Sequence, residues 1–397
     1  MTYRSILVHV DGTDRSDARM RVAARLAQVY PAQIVGVYLV PGPQVSPFAT
    51  ALIPPDFVER RLQLANDAQH AAEAKFREAM QDAGVKQVEF RAPVGDATEA
   101  LIAHSRYADL IVLGQPPRDE AEYHYSMELA NAVLMGSGRP VLFVPYTGAD
   151  GPIGERVLIA WKDARESARA VADALPFLKE AKKVLAVAIA DSEEETLKDL
   201  VTDKQVEFRA PVGDATEAVI AHSRYADLIV LGQPPRDEAE YHYSMDLANA
   251  VLMGSGRPVL FVPYTGADGP IGERVLIAWK DARESARAVA DALPFLKEAK
   301  KVLAVAIADS EEETLKDLVT DKQVEGFLRR HEIEAQVKRI VAPDIDAGEL
   351  LLSHVADIGA DLVVMGGYSR PRFTQLVWGG VSKLILNSMT VPVLMSH

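Results

Sequence analysis

The chain has 397 residues, of which 48% are hydrophobic and 25% charged, with a formal net charge of −14 and no cysteine. That length allows two or three domains. The acidic balance argues against a large nucleic-acid footprint, and the lack of Cys excludes disulfides, thiol catalysis and thiolate metal sites. Ile6–Val10 reads as a short buried strand, and Asp11-Gly12-Thr13-Asp14 as the turn and helix cap after it. From Ser16 the apolar Val22, Leu26 and Val29 recur at helical spacing. Ile34–Val40 is a second buried strand, a Pro-rich loop runs from Pro41 to Pro55, and a long helix is predicted over Phe57–Ala83. Val88–Phe90 begins a strand, Asp96–Tyr107 is helical, Leu110–Leu113 is a strand, Ser126–Met135 is helical, and Val141–Val144 is a last strand. Buried strands alternating with amphipathic helices predict a parallel, doubly wound α/β sheet.

The same order restarts at Val157 and at Val275, both reading VLIAW. The restart comes from a repeat: Gln87–Lys204 returns at Gln205–Lys322, 118 positions on, with only Leu101 changed to Val219 and Glu128 to Asp246. So close a match marks a recent duplication, natural or engineered. The segment KQVE stands at both joints and again at 322–325, where an unequal crossover would join. The repeat is out of phase with the domains. It predicts three consecutive five-stranded units, at 1–147, 154–265 and 272–397, the middle one joining the front half of one domain to the back half of another. The middle unit's second helix is cut to roughly 193–203, which makes it the least stable unit. KQVE is expected to enter a strand at 87–89 and 205–207 and to sit inside a helix at 323–325. Short connections favour pairing of neighbouring halves over exchange between copies.

Four stretches carry a family resemblance: ILVHVDGTDRS at 6–16, VLIAWKDARESARAVADALPFL at 157–178, ADLIVLG at 108–114 and 226–232, and MGGYSRPRFTQLVWGGVSKLILNSMTVPVLM at 365–395. Together they resemble a tandem universal stress protein of the bacterial type. The resemblance implies a five-stranded parallel sheet of the adenine-nucleotide α-hydrolase-like kind, pairing of domains through their last strands, and in some members ATP binding. The family's ATP pattern, Gly-x2-Gly-x9-Gly-Ser/Thr, is partly kept in the third unit as Gly366, Ser369, Gly379 and Gly380. In chemical terms, phosphates need a Gly-rich turn after the fourth strand leading to a helix N-terminus. The alternative is that Gly366, Gly379 and Gly380 serve a tight turn and close helix packing. In the first unit Gln115, Pro116 and Pro117 follow Gly114, and Met127-Glu128 stands where the Gly-Ser pair belongs. Its repeat has Met245-Asp246, again a carboxylate that repels phosphate. Asp11 fits the family's adenine or ribose contact, whereas Lys162 and Lys280 hold that place in the other units. The cofactor implied is therefore Mg-ATP in the C-terminal domain.

The remaining candidates read as structural. Tyr123-His124-Tyr125 and Tyr241-His242-Tyr243 are expected to cap the helices that follow, and His9 to be buried and hydrogen-bonded. His104, His222 and His354 belong at the rim, no His pair has metal spacing, and Glu193–Glu195 and Glu311–Glu313 suit helix starts. Trp161, Trp279 and Trp378 read as packing residues. No nucleophile elbow appears, so the chain reads as a non-catalytic stress-response protein, with a weak ATPase switch as the alternative. A third reading is a duplication variant, built or selected, with no new activity. No signal-peptide h-region and no apolar run near the roughly 18 residues of a membrane span is seen, so a cytoplasmic protein is expected. Three last-strand edges leave one unpaired, which predicts a homodimer.

Overall fold

The computed structural model describes residues 2–41, 55–115, 120–145, 148, 151–162, 164–188, 214–233, 238–264, 267, 269–308, 311–341, 345–367 and 380–397. Two compact units divide the chain, Met1–Gly154 and Glu155–His397.

The first unit runs β1 (Ser5–Val10), α1 (Asp14–Val29), β2 (Gln33–Tyr38), β3 (Val40–Pro41), α2 (Pro55–Asp82), β4 (Val88–Arg91), β5 (Val94–Gly95), α3 (Ala97–Ser105), β6 (Leu110–Gly114), α4 (Glu120–Gly136) and β7 (Val141–Val144). Its five-stranded sheet has the order β4-β2-β1-β6-β7, with every pairing parallel. β1 is central, so all but one of its residues are buried, as a strand covered on both faces requires. α1 stops at Val29 because Tyr30 precedes Pro31 and takes an extended conformation (φ −108°, ψ 118°). α2 can lie on the sheet because β2 carries Gly36: a Cβ there would stand 2.8 Å from Phe76 Cζ. Asp96 caps α3, its carboxylate accepting the Glu99 N–H at 2.9 Å.

The second unit runs β8 (Arg156–Trp161), α5 (Arg165–Asp173), α6 (Leu175–Glu180), β9 (Lys183–Ala188), α7 (Ala215–Ser223), β10 (Ile229–Gly232), α8 (Glu238–Gly254), β11 (Val259–Val262), β12 (Arg274–Trp279), α9 (Arg283–Glu298), β13 (Lys301–Ala308), α10 (Glu311–Arg330), β14 (Ala335–Val341), α11 (Ala347–Ile358), β15 (Leu362–Gly366), α12 (Gly380–Ser388) and β16 (Val393–Ser396). The C-terminal strands repeat the first unit's arrangement, but their sheet has seven strands, in the order β10-β11-β16-β15-β12-β13-β14. β16 pairs parallel with β15, and β11 pairs antiparallel with β16, in the register Val259↔Met395, Leu260↔Leu394, Phe261↔Val393.

This corrects the expectation of three uniform five-stranded units. The middle segment is split: β8 and β9 make a two-stranded sheet, while β10 and β11 extend the C-terminal one. The identical sequences show what the split costs in burial. Leu158 on β8 is 65% exposed and its copy Leu276 on β12 is 0%. Chain length supplies the reason. In the C-terminal segment 38 residues (309–346) separate β13 from α11 and carry α10 and β14. Only 26 residues (189–214) separate β9 from α7, too few for a helix and strand of that size. β11 meanwhile finds a full partner in β16, and every strand pair formed satisfies backbone groups that would otherwise be unpaired.

A side chain in the repeated Ala-Asp-Leu landmark marks the same division. Asp109 accepts the backbone N–H groups of Arg4 (2.8 Å) and Ser5 (2.9 Å), tying the start of β1 to β6. Asp361 accepts those of Gly272 (2.9 Å) and Arg274 (3.0 Å), tying β12 to β15. Asp227 makes no such bonds among the described residues, in keeping with a β8 that does not stand beside β10.

KQVE changes structure with context as expected. Val88 and Glu89 lie in β4, and residues 323–325 lie within α10. Its copy at 205–207 lies outside the described residues, as do 193–195 and Trp378. Tyr123–Tyr125 and Tyr241–Tyr243 fall inside α4 and α8 rather than ahead of them, because those helices begin at Glu120 and Glu238.

Candidate functional site

In an open α/β sheet the ligand crevice lies beyond the carboxyl ends of the strands where the order reverses. Here those places are the ends of β1 and β6 in the first unit and of β12 and β15 in the second.

In the first unit Asp11 leaves β1 into the turn before α1. Its carboxylate accepts the Thr13 N–H (2.9 Å), the Thr13 hydroxyl (2.5 Å) and Arg19 NH2 (2.5 Å). Arg19 is buried, donates through Nε to the His9 carbonyl at 2.8 Å, and lies so close to Gly114 that a Cβ there would be 2.7 Å from it. A guanidinium thus crosses the space between the ends of β1 and β6, and Asp11 is engaged within its own turn. Burial pushes the Asp11 carboxyl up, but Arg19 and the Thr13 bonds outweigh it and hold the carboxyl below its ordinary value. His9 is pushed down to about 4, by burial first and then by Arg19, with Asp11 acting the other way. Arg19 went unread in the sequence. It stands in the second turn of α1, and nothing in the spacing alone says that its side chain runs back past Gly114 to the end of β1.

In the second unit Lys280 follows β12 and is exposed, and the described part of the Gly-rich segment is Gly366, Gly367 and Gly380. Ser369 and Gly379 lie outside the described residues. A Cβ on Gly366 would stand 2.6 Å from the Glu284 carbonyl carbon and 2.7 Å from the Ser285 nitrogen, so glycine lets β15 end against the first turn of α9. A Cβ on Gly367 would meet Leu252 at 2.7 Å. This packing requirement holds with or without a bound phosphate. Gly367 donates to Ser396 O at 2.9 Å and its carbonyl lies 3.2 Å from His397 Nδ1. His397 is pushed down to about 4 by burial; the Gly367 bond raises it, and Arg165 and Arg283 lower it. Gly380, which opens α12, is exposed and has no atom within 4 Å of an added Cβ.

For an adenine nucleotide these residues fit in part. Lys280, Arg283 and the exposed start of α12 suit phosphate. At the end of β12 Lys280, with Asp281 after it, holds the place that Asp11 holds after β1, and Asp11 is bound to Arg19. His104 and His354 are half-buried, His104 beside Arg91 (3.3 Å) and His354 beside Lys338 (3.2 Å), while His222 is exposed. Trp279 is buried. Among the described residues no helix is long and apolar enough to cross a membrane.

A model of the universal stress protein family matches residues 2–145 and 273–397, the stretches that hold β1–β7 and β12–β16. The chain belongs to the universal stress protein family. Among curated proteins no match was found. Among solved structures, a universal stress protein from Archaeoglobus fulgidus DSM 4304 is 12% identical over 99% of this chain and 97% of that one, with a TM-score of 0.32. A protein of the family from Burkholderia pseudomallei is 25% identical over 36% of this chain and 96% of that one (TM-score 0.26). An Archaeoglobus fulgidus universal stress protein in complex with dAMP is 18% identical over 36% of this chain and 98% of that one (TM-score 0.26). Within this universal stress protein, the family match brackets the middle segment whose sheet is split.

Proposed function

We propose that this chain is a non-catalytic universal stress protein that acts in stress response by pairing domains through their last strands and by sensing a ligand. The antiparallel β11–β16 joint carries the pairing reading. β7 has the same sequence as β11, VLFV, and ends the first unit's sheet with one partner, β6, among the described residues. Phe143 on β7 is 40% exposed, whereas its copy Phe261 in the joint is 0%. A strand edge of this kind invites another strand, and a second β7 across a twofold axis completes it. Light scattering on the purified chain should give the mass of two chains, and Phe143→Lys should lower it to one. A single-chain mass for the unchanged protein contradicts the reading.

The ligand-sensing element of the proposal is the C-terminal segment, with an adenine nucleotide and Mg²⁺ held by Gly366, Ser369, Gly379 and Gly380. What supports it is the exposed, unobstructed Gly380 at the start of α12, with Lys280 after β12. Ligand binding to the folded state raises its melting temperature. Mg-ATP at millimolar concentration should raise it by a few degrees. Gly380→Asp should abolish that shift while leaving the helix start intact, since an acid suits a helix N-terminus. No shift in the unchanged protein would remove nucleotide from the account and leave the pairing reading standing.

A further inference from the structure

Two copies of one helix meet in the second unit. α5 carries Arg169 and Asp173, and α9 carries their repeats, Arg287 and Asp291. Arg169 donates to Asp291 through NH1 (3.2 Å to Oδ2) and NH2 (3.0 Å to Oδ1). Arg287 donates to Asp173 in the same way, through NH1 (3.0 Å to Oδ2) and NH2 (2.7 Å to Oδ1). Within each helix the pair is also close, Arg169 Nε to Asp173 at 3.6 Å and Arg287 Nε to Asp291 at 3.5 Å. The four side chains are between 7% and 19% exposed, so the ring of alternating charges is largely withdrawn from water.

The first residue of the pair in each copy meets the second residue of the pair in the other copy. That exchange is what a twofold axis imposes on an isologous interface. Paired, two-pronged guanidinium–carboxylate contacts have demanding geometry, and removing one partner strands a withdrawn charge, so the pattern selects its partner. The corresponding helix of the first unit cannot substitute. Taking Asp11 and Lys162 as equivalent, each with its backbone N–H given to the hydroxyl of the serine five residues on (3.2 and 3.1 Å), Ala18 and Val22 stand where Arg169 and Asp173 do.

We infer that the Arg/Asp face of the repeated helix is a self-recognition surface, whose partner is a second copy of the same helix. In this chain the duplication supplies that second copy internally, and the pairing binds the β8–β9 segment to the C-terminal sheet. Arg165 beside this face adds to the attachment, donating to the His397 main-chain oxygen at 2.9 Å.

The face is self-complementary, so reversing the charges on one copy separates internal from external pairing. In Arg287→Asp/Asp291→Arg the two helices of one chain repel, while each still matches the identical helix of another chain. This full-length variant should therefore show about twice the mass of the unchanged chain in a light-scattering concentration series, as closure across a twofold demands. Reversing both copies, with Arg169→Asp and Asp173→Arg added, should restore internal pairing and return the mass to that of the unchanged chain. An unchanged mass for the single-copy reversal, or a raised mass that survives reversal of both copies, overturns the inference. Restoration by the fourfold variant cannot come from a chain that merely failed to fold.

Discussion

Asp109, Asp227 and Asp361 occupy one place in one motif, and among the described residues only Asp109 and Asp361 tie the start of a neighbouring strand. Asp109 and Asp361 each hold two backbone N–H groups at the start of a neighbouring central strand. Replacing either by Asn removes a charged acceptor from both groups and should cost about 1–3 kcal/mol. Asp227→Asn should change stability by no more than about 0.5 kcal/mol. Urea unfolding of the three variants measures this, and a comparable loss at Asp227 would mean that β8 does stand beside β10. In the sequence the motif served only as a landmark, since the role of a carboxylate as a strand tie depends on which strand start lies next to it. Asp11 was legible as a carboxylate at a strand end. Its engagement by Arg19 was not, because that depends on the path of a long side chain past Gly114.

At the level of elements, the order of strands and helices was readable from period and punctuation, and the double life of KQVE followed from its neighbours. After Glu89 comes FRAPVGD, whose residues feed a strand and a cap; after Glu325 comes GFLRR, which continues a helix. The pairing of strands was less legible. β7 and β11 are identical, as are β8 and β12, so no local propensity distinguishes an edge from a joint or an exposed strand from a core one. What distinguishes them is the length of connection and the partner within reach. The short 189–214 connection was visible in the sequence, and it implied a weakened middle unit. That β11 would pass to the C-terminal sheet through β16 was not visible, because an edge strand accepts any suitable neighbour.

For the whole molecule, the repeated sequence adds strands without adding a third five-stranded sheet among the described residues. One repeated half lengthens the C-terminal sheet to seven strands, and the other is held as a two-stranded sheet with apolar side chains in water. Leu158, Val184, Leu185 and Val187 are exposed there, while their copies Leu276, Val302, Leu303 and Val305 are buried. Local opening free energy falls where buried apolar contacts are few, so the β8–β9 segment is the least protected strand pair of the second unit. Peptide-level hydrogen exchange cannot separate identical sequences, but a chain without cysteine offers a cleaner route. Single-cysteine proteins Leu158→Cys and Leu276→Cys place the same reporter at equivalent points of β8 and β12. With a thiol reagent under native conditions, the thiol at position 158 should react at close to the rate of an unfolded control, and that at 276 slower by orders of magnitude. Equal, strong protection at both positions would contradict the split and restore a complete middle domain.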